Sequence, residues 1–282
     1  IDPSKVTWSN PLGAPLVPVA DDVWLAERPF FPTLPGLGGT DVGCKMVVCR
    51  MASGGLWVHS PVALDAPLKS ALAEIGPVEQ IVTPNTEHMK WAGEWIREFP
   101  DATSWACPGL RERKPQVGWD RSLAELLGDG VTPSSPPVEW GGEIDLVHVQ
   151  VSRRGVPGVS SPTGAARASA GPRASRPRAQ DRIPLTRDTP FFNEVVFHHI
   201  PSKTLIVTDL WWNYPNEAPT LWKFGMDRVY APVYNRLMRT STWDDSFNAI
   251  LRWDFEYMAP CHGEPVAEGA KGALRRHLGY DR

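Results

Sequence analysis

A short polar sequence follows the apolar run at residues 78–82 and holds the side chains with the most chemical potential: Thr83-Pro84-Asn85-Thr86-Glu87-His88. A residue before proline is restricted to extended conformations, which suits a strand end. Asn85 or Thr86 can then cap a helix by accepting a bond from a free backbone N–H. We therefore expect Glu87 and His88 on the first turn of a helix, at the carboxyl edge of a sheet. Open α/β folds keep their binding and catalytic groups at this edge.

Two more polar residues follow predicted strands further along the chain. Asp209 follows the strand at residues 205–208, at the far end of a hairpin, and His262 follows a brief strand at residues 257–259. Carboxylate and imidazole groups serve general acid–base chemistry and metal binding. Because each candidate follows the carboxyl end of a strand, all of them could converge on one rim.

The elements that must position these residues alternate between strand and helix from residue 56 to residue 99. The first helix begins at Pro67 and ends before Gly76. The apolar positions Trp91, Trp95 and Phe99 recur every four residues, so they predict a second helix that faces the sheet. This alternation is typical of a parallel sheet covered by helices. By itself it predicts a mixed α/β fold.

Upstream of this unit, residues 44–51 and 56–58 predict a hairpin, with a Gly-rich turn between them. Residues 1–41 are rich in proline and tryptophan and contain one predicted strand, at residues 23–26. We expect this segment to wrap the core as an N-terminal apron. The second predicted domain spans residues 42–282.

An abrupt change of composition interrupts that domain at residues 152–180. The segment has six arginines, no acidic residue and no aromatic residue, so it cannot bury enough surface to fold by itself. Its removal joins residues 147–151 to residues 181–185 in one continuous hydrophobic pattern. The segment is either an irregular insertion that arose from a retained intron or a true flexible loop. Without interleaved aromatic residues, its arginines indicate an incidental charged loop more than a nucleic-acid site.

Composition and short motifs limit the classes of protein to which this chain can belong. The net charge is -3, and without the Arg-rich segment the rest of the chain is acidic, so bulk charge names no partner. No apolar run reaches the roughly 20 residues that a membrane-spanning helix needs, which predicts a soluble protein. The four cysteines form no Cys-x-x-Cys pair, and we expect free thiols. No Gly-x-Ser-x-Gly sequence or Gly-rich phosphate loop is present.

With these residues in place, the chain resembles the metallo-β-lactamase superfamily. Within it, the chain looks most like the plant, algal and cyanobacterial domain-of-unknown-function family 4336. The resemblance spans most of the chain outside the insertion, in these stretches: residues 55–61, 83–88 with the following helix, 100–102, 193–197, 202–210 and 260–263. It implies a four-layer αβ/βα sandwich of the metallo-β-lactamase type.

The resemblance also implies a ligand set that is incomplete here. The superfamily pattern His-x-His-x-Asp-His falls on Thr83, Asn85, Glu87 and His88, so both histidines of the first metal position are missing. Asp209 matches the carboxylate that bridges two metals, and His262 matches the late His-Gly. No clear equivalent exists for the histidine that falls between these motifs, because His198 and His199 lie in the wrong strand phase.

The resemblance therefore implies at most one ion, Zn or Fe, held by His88, Asp209 and His262. Glu87 is the catalytic candidate, either as a ligand or as a general base. Each residue also has a structural explanation: the helix dipole for Glu87, a loop hydrogen bond for His88, a capping carboxylate for Asp209 and a turn residue for His262. Cys261 beside His262 suggests a thiol nucleophile, but adjacent strand residues point to opposite sides, which disfavours this alternative.

Two functions follow from this half-complete set. Loss of the first metal position favours a non-catalytic protein with a degenerate metal site, acting as a binding or assembly partner in a plastid. The alternative is a mononuclear metal-dependent hydrolase of an ester, thioester or phosphoester. The chloroplast location and the possible protein complex rest on the resemblance alone.

Overall fold

The computed structural model of this chain describes residues 15–29, 43–128, 130–151, 192–213, 219–233 and 241–280. Within these ranges the strands form two sheets, one of seven strands and one of four. The two sheets pack face to face, and helices cover their outer faces. The predicted four-layer αβ/βα sandwich is therefore confirmed.

The larger sheet has its strands in chain order, antiparallel as far as β4 and parallel from there on. Its strands are β1 (Val17–Ala20), β2 (Val23–Arg28), β3 (Cys44–Arg50), β4 (Leu56–His59), β5 (Val78–Thr83), β6 (Thr103–Ala106) and β7 (Arg121–Ser122). The hairpin predicted around residues 52–55 is the β3–β4 connection. The parallel part places the ends of β4 and β5 side by side, with His59 paired to Val82.

The smaller sheet is built from β8 (Ile144–Val151), β9 (Phe192–His199), β10 (Thr204–Val207) and β11 (Tyr257–Pro260), in the order β11-β10-β9-β8. Strands β10 and β11 are parallel, so their carboxyl ends lie together at one edge. Strands β8 and β9 are antiparallel, and Val151 pairs with Phe192. The Arg-rich insertion at residues 152–180 and the stretch 181–185 lie outside the described residues, within this β8–β9 connection.

The described helices are α1 (Ala66–Ile75), α2 (Ala92–Glu98), α3 (Leu110–Arg113), α4 (Ala124–Leu127), α5 (Thr220–Gly225), α6 (Ser241–Arg252) and α7 (Ala270–His277). Helix α1 begins where Asp65 Oδ1 accepts a hydrogen bond from the Leu68 N–H at 2.9 Å. A π-helical segment, Met226–Tyr230, continues α5. Among the described residues, we find no helix with the length and the apolar character that crossing a bilayer requires.

Three apolar clusters hold the layers together. Between the two sheets, Trp57, Trp105, Trp140 and Phe197 pack with ring centroids 5.0 to 6.0 Å apart. Edge-to-face contacts of this kind add to the free energy gained by burying the rings. Helices α1 and α2 cover the outer face of the larger sheet, and α6 and α7 cover that of the smaller one. The core thus fixes both sheets rigidly below the rim that carries the candidate residues.

Helix α2 corrects one prediction. It begins at Ala92, so Glu87 and His88 precede it and do not lie on its first turn. The Asn85 side chain accepts bonds from the backbone N–H groups of Glu87 and His88, which satisfies them outside a helix. A helix dipole therefore does not explain an acid at position 87. The predicted sheet-facing side is correct, because Trp95 is buried and Trp91 and Phe99 pack beside it.

The N-terminal segment contains more regular structure than the sequence indicated. The strand predicted at residues 23–26 extends to Arg28, and an additional strand, β1, pairs with it. Strand β2 pairs with β3 from Val23↔Cys49 to Arg28↔Cys44, so residues 15–29 form the edge of the larger sheet. The boundary between an apron at 1–41 and a domain at 42–282 stays a prediction.

Candidate metal centre

The loop between β5 and α2 is shaped by the side chain of Asn85. Its Oδ1 accepts hydrogen bonds from Glu87 N at 3.0 Å and from His88 N at 2.8 Å. A short amide that bonds its own downstream backbone produces a tight turn at a strand end. The turn points the His88 ring back into the protein, where it is 2 % exposed.

The two ring nitrogens of His88 face different partners. Nδ1 lies 2.7 Å from Ser60 Oγ and 3.6 Å from Cys44 Sγ, behind the loop. Nε2 points the other way, towards His262 and Asp209. Ser60 follows β4 directly, so the parallel pairing of β4 and β5 brings this hydroxyl beneath the ring.

His262 reaches the same point from the other sheet, in the turn after β11. Its Nδ1 donates a hydrogen bond to the carbonyl oxygen of Gly43 at 3.0 Å. A carbonyl only accepts, so Nδ1 carries the proton and a neutral His262 keeps its lone pair on Nε2. The turn requires Gly263, because its φ is +76° and a Cβ there would overlap the carbonyl oxygen of Asn213.

Asp209 follows β10, and the protein holds its carboxylate from two directions. Asn85 Nδ2 donates to Asp209 Oδ2 at 2.6 Å. Below it, the fully buried Glu194 accepts the backbone N–H groups of Thr208, Asp209 and Leu210 at 2.8, 2.8 and 3.0 Å. These bonds leave the second oxygen, Oδ1, directed at the two histidines.

The three side chains that converge here, called the His–Asp–His cluster below, are His88, Asp209 and His262. His88 Nε2 lies 3.2 Å from His262 Nε2 and 3.6 Å from Asp209 Oδ1, and His262 Nε2 lies 3.2 Å from the same oxygen. Ligands of a tetrahedral zinc ion with bonds of about 2.0–2.1 Å are about 3.3 Å apart. The three separations therefore match the ligand spacing of one tetrahedral ion.

The donor chemistry fits the same ion. Two imidazoles and a carboxylate are ligands of zinc and of ferrous iron, and such histidines commonly bond a carbonyl or another acceptor through their second nitrogen. The Nδ1 contacts of His262 and His88 supply this support.

Electrostatics at the cluster favour a positive charge. Burial acts against the charged form of His88, but Cys44 and Asp209 outweigh it and raise the pKa of His88 well above its usual value. Burial likewise acts against the Asp209 anion, but His88 and His262 hold the pKa of that carboxyl well below its usual value. Burial and the Asp209 charge raise the pKa of Glu194 to about 7. A field that favours a proton between these side chains also favours a metal cation there.

Glu87 lies outside the His–Asp–His cluster and lines a cavity of about 730 Å³ that opens beside it. Asp209 lines the same cavity. The Glu87 side chain reaches solvent. Even so, burial by the surrounding protein atoms, and after it the Asp209 charge, raises the pKa of Glu87. The structure therefore brings three of the four candidates together and places the fourth in the lining of the adjoining cavity.

The resemblance leads us to expect two histidines of a first metal position where Thr83 and Asn85 stand. Both of these side chains are hydrogen-bonded within the protein. Thr83 is fully buried, and its Oγ1 accepts a bond from Trp119 Nε1 at 3.0 Å. Asn85 is committed to Asp209 and to the backbone of the loop. Neither side chain offers a histidine nitrogen, so the described residues provide ligands for one ion here.

Two other candidates from the sequence lie elsewhere or are inert. His198 and His199 are at the other end of β9 from Glu194, roughly 16 Å along the strand at 3.3 Å per residue. Burial raises the pKa of the Cys261 thiol to about 11, so it is protonated at neutral pH and is a poor nucleophile. All four cysteines are free and buried.

Sequence reasoning missed the residues that orient the ligands, chiefly Glu194 and Ser60. Glu194 interrupts the apolar run of β9, where neighbouring positions are buried. A carboxylate inside a buried strand is costly unless it is hydrogen-bonded, and that was the available signal. No such signal was available for Ser60, because a serine before a proline at the end of a strand is common in loops.

Comparisons with known proteins agree with this architecture. Residues 21–112 match the family model Domain of unknown function (DUF4336). A search of curated proteins found none that matches the chain. The matched region contains β2 to β6 and the loop with Glu87 and His88.

Solved structures with similar folds include metallo-β-lactamases. DIM-1 metallo-β-lactamase is 12% identical with a TM-score of 0.54, covering 94% of each chain. FIM-1 from Pseudomonas aeruginosa, solved in a mono-zinc form, is 10% identical with a TM-score of 0.53 and 94% coverage of each chain. An enzyme from Erythrobacter litoralis is 13% identical with a TM-score of 0.53 and 93% coverage of each. The chain therefore has a metallo-β-lactamase fold and resembles that superfamily.

Proposed function

We propose that this protein is a mononuclear metal-dependent hydrolase whose single ion is bound by His88, Asp209 and His262. The observation that carries the proposal is the set of separations between the three donor atoms, 3.2, 3.2 and 3.6 Å. The supporting contacts at Ser60, Gly43 and Asn85 add to it, because they direct the three donor atoms at a common point.

The ion would supply Lewis acidity and a bound water of lowered pKa, which is the usual basis of hydrolysis by zinc proteins. The side chains have separate tasks. His262 keeps its Nε2 lone pair available because Gly43 holds its Nδ1 proton. Asn85 restrains Asp209 Oδ2, so that only Oδ1 faces the histidines. Glu87 accepts the proton of the attacking water, and its raised pKa brings it closer to neutral pH.

Metal analysis of the purified protein tests the proposal directly. We expect about one equivalent of zinc or iron by emission spectrometry in the wild type, after exposure to the ion and removal of the excess. His88→Ala and His262→Ala should each reduce it below a tenth of an equivalent. His277→Asn is the matched control, because this histidine contacts Trp211 and lies outside the cluster.

A second variant separates metal binding from catalysis. Glu87→Gln should keep the metal and lose at least tenfold in the rate of ester hydrolysis, since an amide cannot accept the proton. If Glu87→Gln also loses the ion, Glu87 is a ligand and not the base. A wild type that stays metal-free, with melting temperatures unchanged by added zinc, would overturn the hydrolase proposal.

The other candidate function is a non-catalytic binding or assembly partner in a plastid. It is supported by the replacement of two expected ligands by Thr83 and Asn85, and by apolar side chains exposed on α5, where Leu221 is 82 % and Phe224 is 60 % exposed. Metal analysis distinguishes the two functions. The plastid location needs its own test, by fractionation of cells of the source organism with an antibody against the protein.

A further inference from the structure

The cavity beside the His–Asp–His cluster has a polar end and an apolar wall. Its volume, about 730 Å³, is within the range of small-molecule sites in proteins. Its polar end includes Asn85, Glu87 and Asp209, and its apolar wall includes Phe192, Val229 and Val233. A ligand that fills this space has one polar group at the cluster and a longer apolar part.

The apolar wall comes largely from one element, the helical segment after Pro219. Its π-helical part, Met226–Tyr230, contributes Val229 and Tyr230 to the lining. A π-helical turn is a rare local distortion that is frequent at functional sites, because it re-aims side chains. Tyr230 and Asp209 line the same cavity, and burial, followed by the Asp209 charge, raises the pKa of Tyr230.

The charges at the cavity indicate the class of the polar group. Among the described residues that line it, Glu87 and Asp209 are acidic and none is Lys or Arg. One divalent ion would balance these two carboxylates and leave no excess positive charge. Phosphoester recognition usually depends on Arg or Lys donors, so this site suits a neutral group better than an anionic one.

We infer that the cavity binds neutral esters or thioesters that carry an apolar chain of medium length. The chain lies against Phe192, Val229 and Val233, and the carbonyl group lies at the Asp209 and Glu87 end. The nature of the reacting bond rests on the proposed function. In the reaction, water oxygen bonds to the carbonyl carbon, the C–O or C–S bond breaks, and a proton passes to the leaving alcohol or thiol.

Calorimetric titration with unreactive neutral amides tests the binding class without requiring catalysis. We expect octanamide to bind at least ten times more tightly than butanamide, because each added methylene contributes about fourfold when it leaves water. Octyl phosphate should bind at least ten times more weakly than octanamide. Equal affinity across the amides, or tighter binding of the phosphate, would overturn the inference.

A pair of variants on the same helical segment locates the binding surface. Val229→Asp should weaken octanamide binding at least tenfold, because it places a charge in the apolar wall. Leu221→Asp is the control, since Leu221 is 82 % exposed and does not line the cavity. It should change the affinity less than twofold. Equal loss in both variants would contradict binding in this cavity.

These measurements separate the two proposals. If octanamide binds as expected and the wild type binds no metal, the cavity's preference for neutral ligands with an apolar chain stands and the hydrolase proposal fails. If metal binds at the cluster and no amide binds, the hydrolase proposal stands and the substrate class fails.

Discussion

Two pairs of histidines in this fold have opposite electrostatic surroundings. His88 and His262 turn their Nε2 atoms towards the carboxylate of Asp209. His198 and His199 lie on β9 with their Nε2 atoms buried and without a hydrogen-bond partner. The pKa of His88 is raised, whereas burial lowers those of His198 and His199 to about 4.

The comparison shows that a histidine becomes a ligand candidate through what its second nitrogen and its neighbours do. In the first pair, a hydroxyl or a carbonyl holds Nδ1 and a carboxylate faces Nε2, which suits a cation. In the second pair, Ser202 hydrogen-bonds to His199 Nδ1, and neither Nε2 has a hydrogen-bond partner among the described residues. Two histidines that are neighbours in the sequence are therefore not enough to form a metal site.

Removal of the carboxylate should make the first pair resemble the second, and this is the largest effect that we expect. Asp209→Ala should reduce the affinity for zinc by about a hundredfold or more, because it deletes one ligand and the charge that favours the cation. Competition with a chromophoric chelator measures it. The double variant His198→Asn/His199→Asn is the control and should bind zinc as the wild type does.

Loss of the buried support below the first pair should destabilise the fold. Glu194→Ala leaves three buried backbone N–H groups without an acceptor. We expect the free energy of unfolding to fall by about 3 kcal/mol in urea titrations. Glu194→Gln keeps one acceptor oxygen and should lose less. Equal stability of Glu194→Ala and the wild type would mean that water replaces the carboxylate.

A fall in pH should destabilise the folded protein through the second pair, His198 and His199. The folded pKa of His199, about 4, lies below an unfolded value of about 6.5. The unfolded chain therefore binds the proton first, so stability is lost as pH falls from about 6.5 to about 4. Asp22 is the charged neighbour that acts on His199, whereas His199, Asp254 and Lys271 act on His198.

The matched variant for this acid effect is His199→Gln, because glutamine does not titrate. Its unfolding free energy should fall by about 2 kcal/mol less than that of the wild type over the same pH interval. Denaturant titrations at several pH values measure the difference. Identical pH dependence of the two proteins would show that His199 has the same pKa in the folded and the unfolded chain.

The smallest effect that we expect comes from removing the hydrogen bond that Asn85 donates to the Asp209 carboxylate. Asn85→Ala removes the donor to Asp209 Oδ2 and the acceptor for two loop N–H groups. We expect zinc affinity to fall by about tenfold, as for other residues that orient ligands. Asn85→Asp is the informative counterpart, since it keeps the loop bonds and loses the donor. If it binds zinc as the wild type does, the restraint is unnecessary.

Much of the fold was predictable from local signals. The hairpin at residues 44–58, the helix after Pro67 and the strand at residues 78–82 follow from apolar periodicity and turn residues. The start of α2 was not predictable from local signals, because the Asn85 side chain satisfies backbone groups that a helix would otherwise use. The additional strand β1 was missed since its pairing partner β2, and not its composition, gives it structure.

The sequence by itself determined which residue types are available: the loop with Glu87 and His88, a carboxylate after β10, and a histidine before a required glycine. The resemblance to the metallo-β-lactamase superfamily added the expectation that Thr83 and Asn85 stand where two histidines would be. Only the tertiary structure decided that His88, Asp209 and His262 share one point while Glu87 lies aside. The physical reason is that these residues are 53 to 174 positions apart, so their separation depends on how two sheets pack. Local periodicity contains no information about that packing.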